Sequence, residues 1–325
     1  MEQRNSDALT TRSTGRSGKT ISRLLPGLIL LFFVTVVSAA GAPSRTVYVA
    51  GSGNTALDQH LTKLLQQRVG ENTAVLPIAE NELSSIKDAP VVAVGPSAFS
   101  KARQANRSAA ILGMLVEEDL VSRFAERSPG QISAVYYNVP LLRQALTGKV
   151  ILPHATKVSI LATPTSAGLY EAVLDQLSGY GMQGRVFLVE SSDDLIPTLI
   201  RALGYGDFLL AASDDAIYNP RTIKHILLTA YRRNRIVIGP SQAYVKAGSL
   251  ASSYAPFPAM ASLAADYINA YFNDGTLPPP AYPEQYRVEV NDQVARSLNI
   301  PLPDREEIAG LVNEKLAETG GPDNE

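Results

Sequence analysis

The chain contains no cysteine. It can therefore form no disulfide, offer no thiol nucleophile, build no zinc–thiolate site and carry no lipid on a cysteine behind a leader. Histidine is almost as scarce. The three present, His60, His154 and His225, fall in helix or loop patterns without ligand spacing, which argues against a metal site. With no thiol and only scattered imidazoles, a nucleophile–base pair is missing too, so an enzyme is the weakest reading and no cofactor is expected. An excess of positive charge is also lacking: 29 Lys and Arg face 31 Asp and Glu. Taking away the five basic and two acidic residues of the first 39 leaves 24 against 29. Such a balance speaks against a nucleic-acid partner, which wants a basic face.

The N-terminus has the marks of a leader. A polar stretch with Arg4, Arg12, Arg16, Lys19 and Arg23 precedes a charge-free core, Leu24 to Val37, and then small residues from Ser38 to Ala42. This order predicts a secretory signal peptide over 1–39, with cleavage after Ala39. An uncleaved membrane anchor is the alternative, since the weakly polar run to Ala42 is just long enough to span a bilayer. Either way the rest of the chain is expected outside the cytoplasm, in a periplasm. Its length suits two lobes rather than one domain.

Past the leader, short apolar strands alternate with helical patterns. RTVYVA, TAVLPIA, PVVAVG, AAILGMLV and QISAVYYN read as five strands, with Leu57, Leu61, Leu64 and Leu65 marking the first helix between them. A second series follows: the helix VPLLRQALTGKVIL, the strands KVSILAT, RVFLVE, DFLLAAS and RIVIGP, and the helices joining them. Such runs predict parallel sheets covered on both faces. The expected architecture is α/β, with two doubly wound parallel-sheet lobes, a hinge and a cleft between them. The first lobe would take 40–139 and about 256–283. The second would take 140–255 and about 284–318, leaving 319–325 as a frayed tail.

Three segments carry a resemblance. DFLLAASDDAIYN, IVIGPSQAYVKAGSLASSYAPFPAMASLAADYI and RVEVNDQVARSLNIPLP are similar, in order and spacing, to the second half of ABC-transporter substrate-binding proteins of the periplasmic binding protein type I fold. The branch includes tryptophan- and tyrosine-binding transport proteins, and the likeness runs over about residues 45–303. SSYAPFPAM departs from the family pattern in lacking its helix-starting glycine, and the first lobe is shorter than usual. The resemblance implies a monomeric periplasmic solute-binding component working with an inner-membrane ABC permease. The solute would be a small molecule, for example an amino acid or an aromatic metabolite. An exported ligand-sensing subunit serving a membrane receptor would have the same sequence features.

In such a fold ligands sit where strand carboxyl ends and helix N-termini converge. The small polar residues there are Ser52 and Asn54, Ser97, Thr165 and Ser166, Ser213 with Asp214 and Asp215, and Ser241. Each could instead be a helix cap. By the resemblance Asp214 aligns with the family's loop acid and would bind a ligand ammonium. Tyr136, Tyr137 and Tyr254 lie where the chain passes between lobes, to stack on a flat ligand or simply to pack. One motif points elsewhere. Gly51, Gly53 and Ala56 have the G-x-G-x-x-A spacing of a dinucleotide fingerprint. An exported domain meets no nucleotide supply, so a tight turn that brings Ser52 and Asn54 to the cleft is the better reading.

Overall fold

The computed structural model describes residues 45–212 and 214–318; the leader, Ser213 and the 319–325 tail, each the subject of an expectation above, lie outside it. The first series runs β1 (Arg45–Ala50), α1 (Thr55–Gln66), β2 (Thr73–Ile78), β3 (Val91–Val94), α2 (Gly95–Ala105), β4 (Ile111–Val116), α3 (Glu118–Arg127) and β5 (Ile132–Tyr136). The second runs α4 (Leu141–Ile151), β6 (Lys157–Ala162), α5 (Glu171–Leu177), β7 (Gln183–Leu188), α6 (Leu195–Tyr205), β8 (Phe208–Leu210), α7 (Ile223–Arg232), β9 (Ile236–Ile238), α8 (Gln242–Ala247) and β10 (Ala251–Tyr254). It closes with α9 (Phe257–Asp274), β11 (Arg287–Val290), α10 (Asp292–Ser297) and α11 (Arg305–Glu318).

The strands form two sheets. In the first the order is β2-β1-β3-β4-β5, all parallel. In the second it is β11-β10-β9-β8-β6-β7. Apart from β11, the second sheet repeats the order of the first, so each has one switch point: β1 beside β3, and β6 beside β8. At a switch point the helices leave on opposite faces and open a crevice at the strand carboxyl ends.

The sequence accounts for this layering directly. All four residues of β3, VVAV, are buried, as a strand covered on both faces requires. Each sheet has two apolar layers. Val49, Val92, Leu112 and Val135 face α9 through Met260, Ala264 and Ile268, while Ala93, Phe99, Ile111 and Ala134 fill the other face. Ile160, Phe208, Leu210 and Ile238 pack against α4 and α11, and Leu161, Leu209 and Val237 pack against α6 and α7. Full burial of a residue such as Ile268 contributes about 1.5–3 kcal/mol. Helix ends follow their caps: Asn54 accepts the Leu57 N–H, and Gly275, with φ 77°, turns α9 off in the left-handed region.

Two features depart from the sequence reading. The second sheet is mixed, because β11 pairs antiparallel with β10. The cause is topological. The chain leaves this sheet at the carboxyl end of β10, builds α9 on the other sheet, and returns at the same edge, so β11 runs back down. Further, β10 itself was not expected as a strand. ASSY has little apolar character, yet Ala251, Ser252 and Ser253 are buried. The Gln144 side chain of α4 holds it: its amide nitrogen donates to the Ser253 carbonyl at 2.6 Å, and its oxygen accepts the Ser253 N–H at 2.9 Å. The Thr147 and Ser253 hydroxyls bond beside it at 2.7 Å.

Candidate functional site

At the switch point of the second sheet, β6 and β8 end in a cluster built around Asp214. This carboxylate is 8% exposed. Its Oδ2 accepts the Ser166 hydroxyl at 2.5 Å and the Thr163 N–H and hydroxyl at 3.3 Å each. Its Oδ1 accepts the Ala216 N–H at 3.0 Å. Thr163 also bonds Thr165 and Ser166 at 3.0 Å. The structure thus brings the predicted residues Thr165, Ser166 and Asp214 together, with Thr163 added. A carboxylate has about four acceptor positions, two on each oxygen; three of the chain's own donors crowd Oδ2 and one reaches Oδ1. A ligand cation would therefore meet the negative field of Asp214 and the hydroxyls around it, with the carboxylate held in place behind them.

Three tyrosines surround this cluster. Tyr170 and Tyr218 are buried and Tyr244 is half-buried. The Tyr218 and Tyr244 rings meet edge-on at 6.3 Å, and the Tyr244 hydroxyl donates to the Tyr218 carbonyl. Burial first, then the charges of Asp214, Glu117 and Asp119, push the Tyr170 pKa up to about 12, against a smaller opposing effect of the Ser166 hydrogen bond. Burial, with Asp215 and Glu117, raises Tyr244 to about 12 as well. Burial raises Tyr218 well above its ordinary value, with Tyr170, Tyr244 and Asp214 adding to it. Glu117 and Asp119 follow β4, in the other sheet, while Tyr170 and Tyr244 belong to the second. The charge of Glu117 thus reaches Tyr170 and Tyr244 from the other sheet.

On the first sheet, Glu117 receives the Tyr137 hydroxyl at 2.9 Å. Tyr136 is buried in the core, its ring 4.9 Å from Tyr282, so it packs rather than faces a ligand. At the β1–β3 switch point, the Ser52 N–H and hydroxyl both donate to Oδ1 of Asp58, at 2.9 and 2.7 Å. A Cβ on Gly51 would stand 2.5 Å from Asp58 Oδ2. Gly51 is thus needed for the Asp58 carboxylate to close onto the loop, and Gly53 takes φ 92° there. The fingerprint-like spacing serves an internal carboxylate where a dinucleotide site would hold pyrophosphate. Asn54 caps α1.

The remaining predicted residues are more scattered. Ser97 is exposed in the first turn of α2, near Ser52 through Gly95. Ser241 precedes α8 as its N-cap residue but makes no side-chain cap bond. Tyr254 ends β10, in register with Arg287, away from the hydroxyl cluster. Glu117, Asp58, Thr163, Tyr170, Tyr218 and Tyr244 were not anticipated. Glu117 is readable from the sequence, since it directly follows the strand ILGMLV, although it is not one of the small polar residues that mark the other strand ends.

Among the described residues no group of three His, Cys, Asp or Glu could hold a metal ion, and no helix is long and apolar enough to cross a membrane. Two cavities lie away from the strand-end clusters. One of about 400 Å³ sits where the chain crosses between sheets, beside Pro256, Glu284, Tyr286 and Asn313. The other, about 690 Å³, lies along β7 and α6.

The arrangement defines a class of fold: two doubly wound lobes with facing strand carboxyl ends, as in periplasmic binding proteins of type I. No family model matches the chain, and no curated protein does. Solved structures match over nearly their whole length. The ligand-free, open structure of a substrate-binding protein with adhesive properties from Clostridium difficile is 16% identical, with a TM-score of 0.63 over 81% of this chain and 97% of that one. A conserved domain protein from Vibrio cholerae is 17% identical, with a TM-score of 0.56 over 82% and 98%. An ABC domain from Streptococcus pneumonia, in complex with L-Trp, is 14% identical, with a TM-score of 0.55 over 82% and 96%. At these identities the likeness establishes the fold.

Proposed function

We propose that the chain is an exported solute-binding component of an ABC transporter, gripping a small solute between its lobes and presenting the closed form to a membrane permease. The lobes are taken as 40–139 with about 256–283, and 140–255 with about 284–318. The observation that carries this reading is the pair of switch points, β1 beside β3 and β6 beside β8, each opening a crevice at its strand carboxyl ends, with Glu117 after β4 and Asp214 beyond β8. Facing strand ends are where this architecture binds ligands. The neighbours supply independent support, since one is described as a substrate-binding protein and another holds L-Trp. Under this reading Thr165 and Ser166 contact the solute from one side; Ser213, expected with them, lies outside the described residues. Ser52, Asn54, Ser97 and Tyr137 line the other, with Ser241 and Tyr254 at the margin. Asp214 fixes the hydroxyls and supplies the field that draws a ligand ammonium. No chemistry is performed on the solute.

The test is a thermal-shift screen of the purified protein against amino acids, amines and sugars. A ligand that binds only the folded state at a hundred times its Kd adds about 2.7 kcal/mol of stability. A clear rise in Tm with one chemical class is the expected result. A flat response to every class overturns the reading.

A further inference from the structure

We infer that the solute held between the lobes is an organic ammonium ion without a carboxylate, an amine rather than an amino acid. This rests on the solute-binding reading and narrows it.

An amino acid needs a cationic or N–H-rich partner for its carboxylate as well as an acceptor for its ammonium. The switch-point loop Gly51–Asn54 is the natural cradle for an anion, lying between a strand end and a helix N-terminus. It already has one. The Ser52 N–H and hydroxyl both donate to Asp58, and Gly51 has no side chain where one would collide with that carboxylate. The Asn54 N–H turns to the Ser52 hydroxyl and the Leu57 N–H to the Asn54 side chain. A second carboxylate there would meet like charge at close range. At the next strand end, Pro96 in the first turn of α2 removes one of the N–H groups that helix start could give.

The positive side chains that could replace this cradle are also missing. The segments that lead from a strand carboxyl end straight into an α-helix carry Glu117, Glu190, Asp193, Asp194, Asp214 and Asp215 against the single base Arg221 among the described residues, and the longer β2–β3 connection adds Glu80, Glu82 and Asp88 against Lys87. Part of that sign preference complements helix dipoles. Glu117 and Asp214 go further: one directly follows β4 of the first sheet and the other lies beyond β8 of the second, and both charges reach Tyr170. The Tyr218 ring lies behind this group, 2% exposed, in the field of Asp214 and beside Tyr170. Carboxylates backed by phenol rings and oxygens are the surroundings that an ammonium group favours.

Three matched pairs, each an amino acid and its decarboxylated amine, test this: tyrosine with tyramine, tryptophan with tryptamine, and ornithine with putrescine. Calorimetry and thermal shift on the purified protein should show at least one amine binding tenfold or more tighter than its amino acid. Glu117→Gln should weaken that amine about tenfold. Asp58→Asn, which removes the resident charge from the cradle, should narrow the preference by admitting the amino acid. If an amino acid binds as tightly as its amine, or only a sugar binds, the amine assignment is overturned while the solute-binding reading stands. If amines, amino acids and sugars all fail to bind, both are overturned.

Discussion

The two switch points share a strand order and differ in how they are closed. Beside β1 and β3 the acceptor is Asp58, on the helix that follows the loop, and it bonds from a half-exposed position. Beside β6 and β8 it is Asp214, buried and arriving from the neighbouring strand. The second seam is also braced at its far end. Asp207, just before β8, accepts the Thr156 and Lys157 N–H groups at 2.7 and 2.9 Å. An aspartate thus lies on either side of β8, Asp207 bonding the start of β6 and Asp214 the loop that follows β6. The lesson is that an acid at a strand terminus in this fold is first a brace between strands. Under the proposed function only the brace at the carboxyl end acts on a solute as well.

That contrast is sharpened by removing the acids in turn. Asp214→Ala should have the largest effect, since it leaves the half-buried Thr163 and Ser166 donors without their acceptor. The expected loss is about 3 kcal/mol, seen in urea unfolding, together with the loss of any amine-induced rise in Tm. A variant of unchanged stability would show that the hydroxyl cluster does not brace the seam.

Asp207→Ala should cost about 1 kcal/mol at neutral pH and leave solute binding intact. Burial alone would raise the Asp207 carboxyl. The two N–H groups, with the charges of Arg235 and Lys157, outweigh burial and hold it below the ordinary range. A folded-state value below the unfolded one gives stability that is present above about pH 4 and lost as pH falls through the lower folded value. Tm curves of wild type and variant should therefore converge in acid. A difference that persists at low pH would assign the effect to packing.

Smaller again is Asp58→Ala, expected to cost less than about 1 kcal/mol because its bonds lie near solvent. Gly51→Ala should act in the same direction by pushing the Asp58 carboxylate off the loop. A loss from either that rivals Asp214→Ala would erase the distinction between the lobes.

Much of this was legible in the sequence where burial is two-sided. VVAV and ILGMLV can be little but covered strands, and the small polar residues after each strand marked the crevice edges. ASSY was hidden because its buried serines are satisfied by Gln144 and Thr147, over a hundred positions away, which no local pattern reports. The reversal of β11 depends on where the chain re-enters its sheet. The site divides likewise. Thr165, Ser166 and Asp214 came from strand-end logic, and Glu117 obeys the same logic. Asp58 sits one turn into a helix, six positions from the serine it bonds. Tyr170, Tyr218 and Tyr244 reach the cluster only after three separate loops fold onto it.

The absence of native cysteine allows a direct test of the central claim. Spin labels placed on Gln104→Cys in α2 and Lys224→Cys in α7, both exposed positions on different lobes, report the distance between the halves by pulsed electron resonance. Saturation with the amine that raises Tm should shift this distance to a single shorter value, as closure over a solute in the cleft requires. An unchanged distance at full occupancy would contradict the account.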